Sequence, residues 1–120
     1  MPVISPDGKW IAYNFYNYET AEMPWQSGVI PATGGESIKT FEQPNRGLLC
    51  WTADSKSLLH LDKNLRNIWQ KPIFGDDSPK LITGFNSEVI RRFALSPDGK
   101  QLILARGETE TGVVIIGNDK

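Results

Sequence analysis

The tetrapeptide Ser-Pro-Asp-Gly occurs twice, at Ser5–Gly8 and Ser96–Gly99, and a degraded copy, Thr52-Ala53-Asp54-Ser55, lies between them. The copies begin 47 residues (52 − 5) and 44 residues (96 − 52) apart. Each is followed by a lysine, Lys9, Lys56 or Lys100, and each has apolar stretches on both sides. A period of this size marks a chain built by repeating one supersecondary unit. The repeated element has a turn mechanism: proline presets the first corner, aspartate suits the second, and glycine accepts a positive φ before the next strand. Between two apolar runs it reads as the tip of a β-hairpin. Ser55 stands where the other copies have glycine, so the middle hairpin is expected to be strained or differently bulged.

A second landmark carries the same period. Ser27–Gly34 aligns with Ile68–Gly75, and Pro31 and Pro72 are 41 residues apart (72 − 31). The shorter interval leaves the first unit with six extra residues (47 − 41), which the alignment places in Tyr16–Trp25. Each unit then reads as four short strands. The first has strands at 2–5, 10–15, 26–31 and 37–41; the second at 48–52, 57–61, 67–73 and 80–83; the third at 89–96, 101–106 and 112–116. No window repeats apolar residues at helical spacing over three turns, and turn residues punctuate the whole chain. The fold class is therefore all-β, a segment of about three four-stranded antiparallel blades. The blades are bounded at 1–43, 44–86 and 87–120, the last lacking its outer strand.

These residues resemble the TolB family of WD40-like propeller repeats, which also form the amino-terminal propellers of prolyl oligopeptidase relatives. The likeness is carried by Ile4-Ser5-Pro6-Asp7-Gly8-Lys9-Trp10-Ile11-Ala12-Tyr13, by Leu95-Ser96-Pro97-Asp98-Gly99-Lys100-Gln101-Leu102-Ile103-Leu104, and by the turn Pro31–Glu36. It spans essentially the whole chain. Residues Arg106–Asp119 also look like the last strand of bacterial proteins that join such a propeller to a signalling or DNA-binding module. The resemblance implies a propeller; it implies no single activity, because propellers host unrelated functions.

A propeller needs about four to eight blades to close. An arc of about three leaves apolar blade faces and strand edges uncovered, which invites association. Two solutions follow: the chain is part of a longer protein, or two copies close head to tail as a homodimeric six-bladed ring.

Charge and composition exclude several partners. The net charge is −1 and the pI about 5.8, with no basic stripe for nucleic acid. No apolar run reaches the ~18 residues of a membrane span. No leader peptide is recognisable, and the chain opens so near a repeat landmark that its start reads as a boundary. Compartment therefore follows the resemblance alone: periplasmic if TolB-like, cytoplasmic if part of a regulatory protein.

No set of residues assembles a reaction centre. His60 is the single histidine and lies within an apolar strand, where it reads as structural. Cys50, the single cysteine, reads as a small buried hydrophobe beside Trp51. No Gly-x-Ser-x-Gly elbow, zinc spacing or phosphate loop is present. Asp7 and Asp98 are explained as turn formers, and Asp76-Asp77 as a hairpin tip. No catalytic residue, metal or cofactor is assigned. Trp10, Trp51 and Trp69 lie in strands and are expected to fill the seams between blades.

What remains is a surface. The loops joining second to third strands share one rim with the loops that enter the next blade. The six-residue insertion lands there with Tyr16, Tyr18, Met23 and Trp25, and Arg46, Arg66 and Arg91 fall nearby. Aromatic and arginine side chains dominate recognition hot spots, although aromatics also fill half-buried β surfaces. The expectation is a non-enzymatic scaffold for a protein or small ligand. The alternatives are the gating propeller of a larger prolyl oligopeptidase-like hydrolase and the sensor end of a bacterial regulator.

Overall fold

The computed structural model describes residues 2–17, 19, 25–42, 48–75, 77–107 and 110–115. Eleven strands fall in chain order: β1 Val3–Ile4, β2 Trp10–Tyr16, β3 Trp25–Pro31, β4 Lys39–Glu42, β5 Leu49–Trp51, β6 Ser57–Leu61, β7 Ile68–Pro72, β8 Lys80–Leu81, β9 Ile90–Leu95, β10 Gln101–Arg106 and β11 Glu110–Ile115. They form three antiparallel sheets, β1-β2-β3-β4, β5-β6-β7-β8 and β9-β10-β11, each a simple meander. The first strands of the first two sheets, β1 and β5, lie against each other. The sheets are thus blades sharing an inner edge, as in a propeller.

All three marker turns make the same bonds. In the first, the Ser5 hydroxyl donates to Asp7 Oδ1 at 2.6 Å, and the Lys9 amide donates to the same oxygen at 3.0 Å. The Trp10 amide donates to Ser5 Oγ at 3.0 Å. Thr52, Asp54, Lys56 and Ser57 repeat this arrangement, and so do Ser96, Asp98, Lys100 and Gln101. The hydroxyl bond, and then the backbone amide, hold the Asp7 and Asp98 carboxyls below the usual carboxylate range. Gly8 and Gly99 sit at φ 77° and 75°. Ser55 takes the same left-handed conformation at φ 62°, so the middle turn is not differently bulged. Its hydroxyl gains a partner for this, accepting the Asp7 amide of blade one at 3.0 Å.

The core is divided between two seams. One joins Ala12 and Val29 of blade one to Trp51, Leu58 and Ile73 of blade two. The other joins Leu59, Leu61 and Ile68 of blade two to Ile90, Phe93, Leu102 and Leu104 of blade three. Strand alternation explains the split: β6 sends Leu58 to one seam and Leu59 and Leu61 to the other. Trp51 meets the expectation for seam filling, since its indole N–H donates to the Val3 carbonyl at 3.0 Å across the first seam. Trp10 is half-buried against Phe74, with ring centroids 5.2 Å apart. Trp69 departs from the expectation: it is half-buried on the wall of an open cleft.

The extra residues of blade one do not all form loop. Phe15 and Tyr16 pair with Gln26 and Trp25, so the β2–β3 ladder runs two pairs beyond that of β6 and β7. Tyr13 crosses over Gly28, where a Cβ would lie 2.7 Å from the phenol oxygen. Glycine at that position is what lets the ring lie flat on the neighbouring strand.

Candidate functional site

At the rim, three segments are tied together: the blade-two hairpin turn 62–67, the crossover 82–89, and the blade-three hairpin at Arg106 and Gly107. Asp62 caps the first, accepting the Arg66 amide at 3.0 Å. Leu65 stands at φ 60° in this turn and its carbonyl accepts the Ile90 amide of blade three. Asn67 clasps the crossover, with its side-chain amide donating to the Phe85 carbonyl at 2.8 Å and its oxygen accepting the Phe85 amide at 2.7 Å. The Gly107 amide closes the arrangement by donating to the Val89 carbonyl.

Arg106 lies at the centre of this network. Its guanidinium stacks 3.7 Å from the Phe85 ring centroid, donates to the Ser87 carbonyl at 2.9 Å, and lies 3.8 Å from the Glu88 carboxylate. Glu88 holds φ 63°, a conformation that non-glycine residues adopt only where the surroundings enforce it. Sequence reasoning missed Arg106. Its partners lie 18 or more residues away, and the marker repeat gives no sign of them.

The predicted rim residues separate into two groups. Tyr16 and Trp25 pair edge to face at 5.1 Å, closing the β2–β3 hairpin. Tyr16 is exposed and Trp25 half-buried. Arg66 is exposed on the blade-two turn, and Arg91 is exposed with its Nε donating to the Gly107 carbonyl. These two arginines flank the crossover between blades two and three, whereas the aromatic pair belongs to blade one. Tyr18, Met23 and Arg46 lie outside the described residues.

A second feature was not expected. Between Phe41 of blade one and Trp69 of blade two the first seam opens into a cleft of about 320 Å³, lined also by His60 and Lys71 and by the carboxylate residues Glu42 and Asp62. The His60 and Phe41 rings lie 5.7 Å apart, and the Lys71 ammonium lies 5.1 Å from the Phe41 centroid. His60 Nδ1 bonds the Leu61 carbonyl at 3.1 Å. Burial, and to a smaller extent the Lys71 charge, hold this imidazole below its ordinary pKa. Burial likewise lowers Lys71, assisted by Lys39. His60 Nε2, the Trp69 indole N–H and the Lys71 ammonium have no hydrogen-bond partner among the described residues. The walls therefore offer ring faces and water-accessible nitrogens together, which suits binding of a planar or extended group. Cys50 is turned to the other seam, and burial raises its thiol pKa.

No protein-family model matches the sequence, and no curated protein is similar to it. Solved structures are similar. One, from a structural and mechanistic analysis of two prolyl endopeptidases, superposes with a TM-score of 0.71 at 21% identity, covering 100% of this chain and 20% of that one. Another, the complex of KlAtg21 with the coiled-coil of AgAtg16, gives a TM-score of 0.56 at 13% identity over 88% of this chain and 36% of that one. The chain thus spans about a fifth and a third of the two proteins it resembles. The likeness is one of fold: three meandering blades arranged as in the propeller of a prolyl endopeptidase.

Proposed function

We propose that the chain is a non-enzymatic propeller platform for recognition of a protein or small ligand, built from TolB-like repeats. The observation that carries this reading is the cleft between blades one and two, where the Phe41 and Trp69 side chains stand beside the His60 imidazole and the Lys71 ammonium. The clasped rim around Arg106 adds a rigid frame for the exposed Arg66 and Arg91. Functional side chains on a stiff scaffold are the usual arrangement of a recognition surface.

A second reading is favoured by one observation. The chain superposes in full on a fifth of a prolyl endopeptidase. On that reading it is propeller from a larger prolyl oligopeptidase-like protein, and its rim faces another domain rather than a free ligand.

The test is an NMR titration of the labelled chain with a proline-containing decapeptide. Shifts at Phe41, His60, Trp69 and Lys71 support the platform. Silence up to millimolar peptide counts against it, and cleavage of the peptide would refute the non-enzymatic reading outright.

A further inference from the structure

Pairing registers fix what faces the cleft between blades one and two. Lys39 and Phe41 lie opposite Val29 and Ser27 of β3, and Val29 belongs to the first seam, so both β4 side chains point toward blade two. On the other wall Trp69 and Lys71 lie opposite His60 and Leu58, and Leu58 belongs to the same seam. The two blades thus present one pattern to each other: a lysine and, two positions along the same strand, an aromatic ring. All four residues are half-buried.

Charge decides what such walls can take. The Lys71 ammonium stands 5.1 Å from the Phe41 centroid, so the place a ligand cation would take over that ring is already filled. The ring occupies one side of the ammonium and leaves it N–H donors for an acceptor. Burial, and then the charge of Lys39, lower the Lys71 pKa, so the two lysines are near enough to repel each other. Neither is ion-paired among the described residues. The neighbouring carboxylates do not fill the role. Glu42 is exposed, and alternation turns it from the face that carries Phe41 and Lys39. Asp62 accepts the Arg66 amide within its own turn. Lys63 adds a third cation to the lining.

Two like charges facing each other across a seam are relieved by one anion placed between them. The rings and the volume set the rest of the ligand. At about 320 Å³ the cleft is at the small end of ligand cavities, which run from about 300 to 1,000 Å³, so it suits a small flat molecule.

We infer that the cleft binds a small aromatic acid, its ring against Trp69 and Phe41 and its carboxylate between Lys71 and Lys39. The inference rests on the cleft being the recognition site, and adds the charge and size of what is recognised.

An NMR titration with three probes tests it: 2-naphthoate, its neutral counterpart 2-naphthamide, and acetate, which has the charge without the ring. Naphthoate is expected to give saturable shifts at Phe41, His60, Trp69 and Lys71. Loss of a charge-assisted bond should make naphthamide bind about tenfold more weakly. Acetate should bind more weakly still. Lys71→Met keeps the aliphatic stem over Phe41 and removes the charge; it should weaken naphthoate about tenfold and leave naphthamide unchanged. Circular dichroism reports whether this variant folds, and Lys39→Met supplies the same comparison if it does not. The inference is overturned by naphthamide binding as tightly as naphthoate, by naphthoate binding that ignores the lysine substitution, by shifts outside the cleft, or by silence up to millimolar naphthoate. A peptide ending in phenylalanine that binds more tightly than naphthoate also overturns it, since the acid would then be a protein's own carboxyl terminus. In each case the platform reading stands if the proline-containing decapeptide still shifts the cleft. A cleft silent to every probe and to both peptides removes both readings.

Discussion

The Asp7 amide donates to the Ser55 hydroxyl at 3.0 Å, joining the marker turns of blades one and two across 48 residues of sequence. The serine that replaces glycine in the middle copy is thus compensated between blades. Ser55→Ala keeps the left-handed strain and loses the bond, and is expected to cost about 1–2 kcal/mol by urea denaturation. Ser55→Gly also loses the bond but relieves about 1 kcal/mol of backbone strain. It should therefore be the milder of the two changes; the reverse order would show that no backbone strain is relieved at this position, and a Ser55→Ala variant as stable as the unaltered chain would show that the hydroxyl contributes nothing.

Gly99 tests packing between the second and third turns. Gly99→Ala adds overpacking of about 1–3 kcal/mol against Ala53 to the strain of a positive φ. Gly34→Ala, at φ 97° with open space around it, suffers strain alone, about 1 kcal/mol. Urea midpoints should rank accordingly, and adding Ala53→Gly should recover most of the difference at Gly99.

Burial holds the His60 pKa below the ordinary value of about 6.5. The unfolded chain therefore binds its proton at a higher pH than the folded chain does. Stability contributed by the neutral ring is complete above about pH 6.5 and is lost as pH falls through the lower folded value. A fall in the urea midpoint between pH 7.5 and 5.5 is expected. His60→Leu, which places at this position the residue that Leu104 provides in blade three, should flatten that interval.

Arg106 stacks on Phe85 and bonds the Ser87 carbonyl with one planar group, a geometry lysine cannot reproduce. Arg106→Lys should destabilise by about 1–2 kcal/mol. A double-mutant cycle with Phe85→Leu should show coupling near 1 kcal/mol. Additive effects would mean the stacking carries no energy.

The fold was legible because its signals are local. Each marker turn is specified by residues within six positions of one another, and β alternation assigns Leu58, Leu59 and Leu61 to their seams. Alternation gives the face of a blade but not the distance from its inner edge. Trp69 was therefore assigned to the core although it lies where the blades diverge and the seam opens. The spacing counted the extra residues of blade one without revealing that Phe15 and Tyr16 extend the ladder. Arg106 was invisible for the opposite reason: its contacts are all to the crossover from the previous blade, and no pattern within its own hairpin marks it.

The strand β6 contributes to both seams, Leu58 to the first and Leu59 and Leu61 to the second. A wedge in the cleft of the first seam would press on His60, whose strand neighbours Leu59 and Leu61 help anchor blade three. Blade two is in this sense a rocker: tilting it to admit a bound group on one side changes the closure of the joint on the other. The backbone of Ser57–Leu61 is thus one link between the two seams, beside Cys50 and Trp51 on β5.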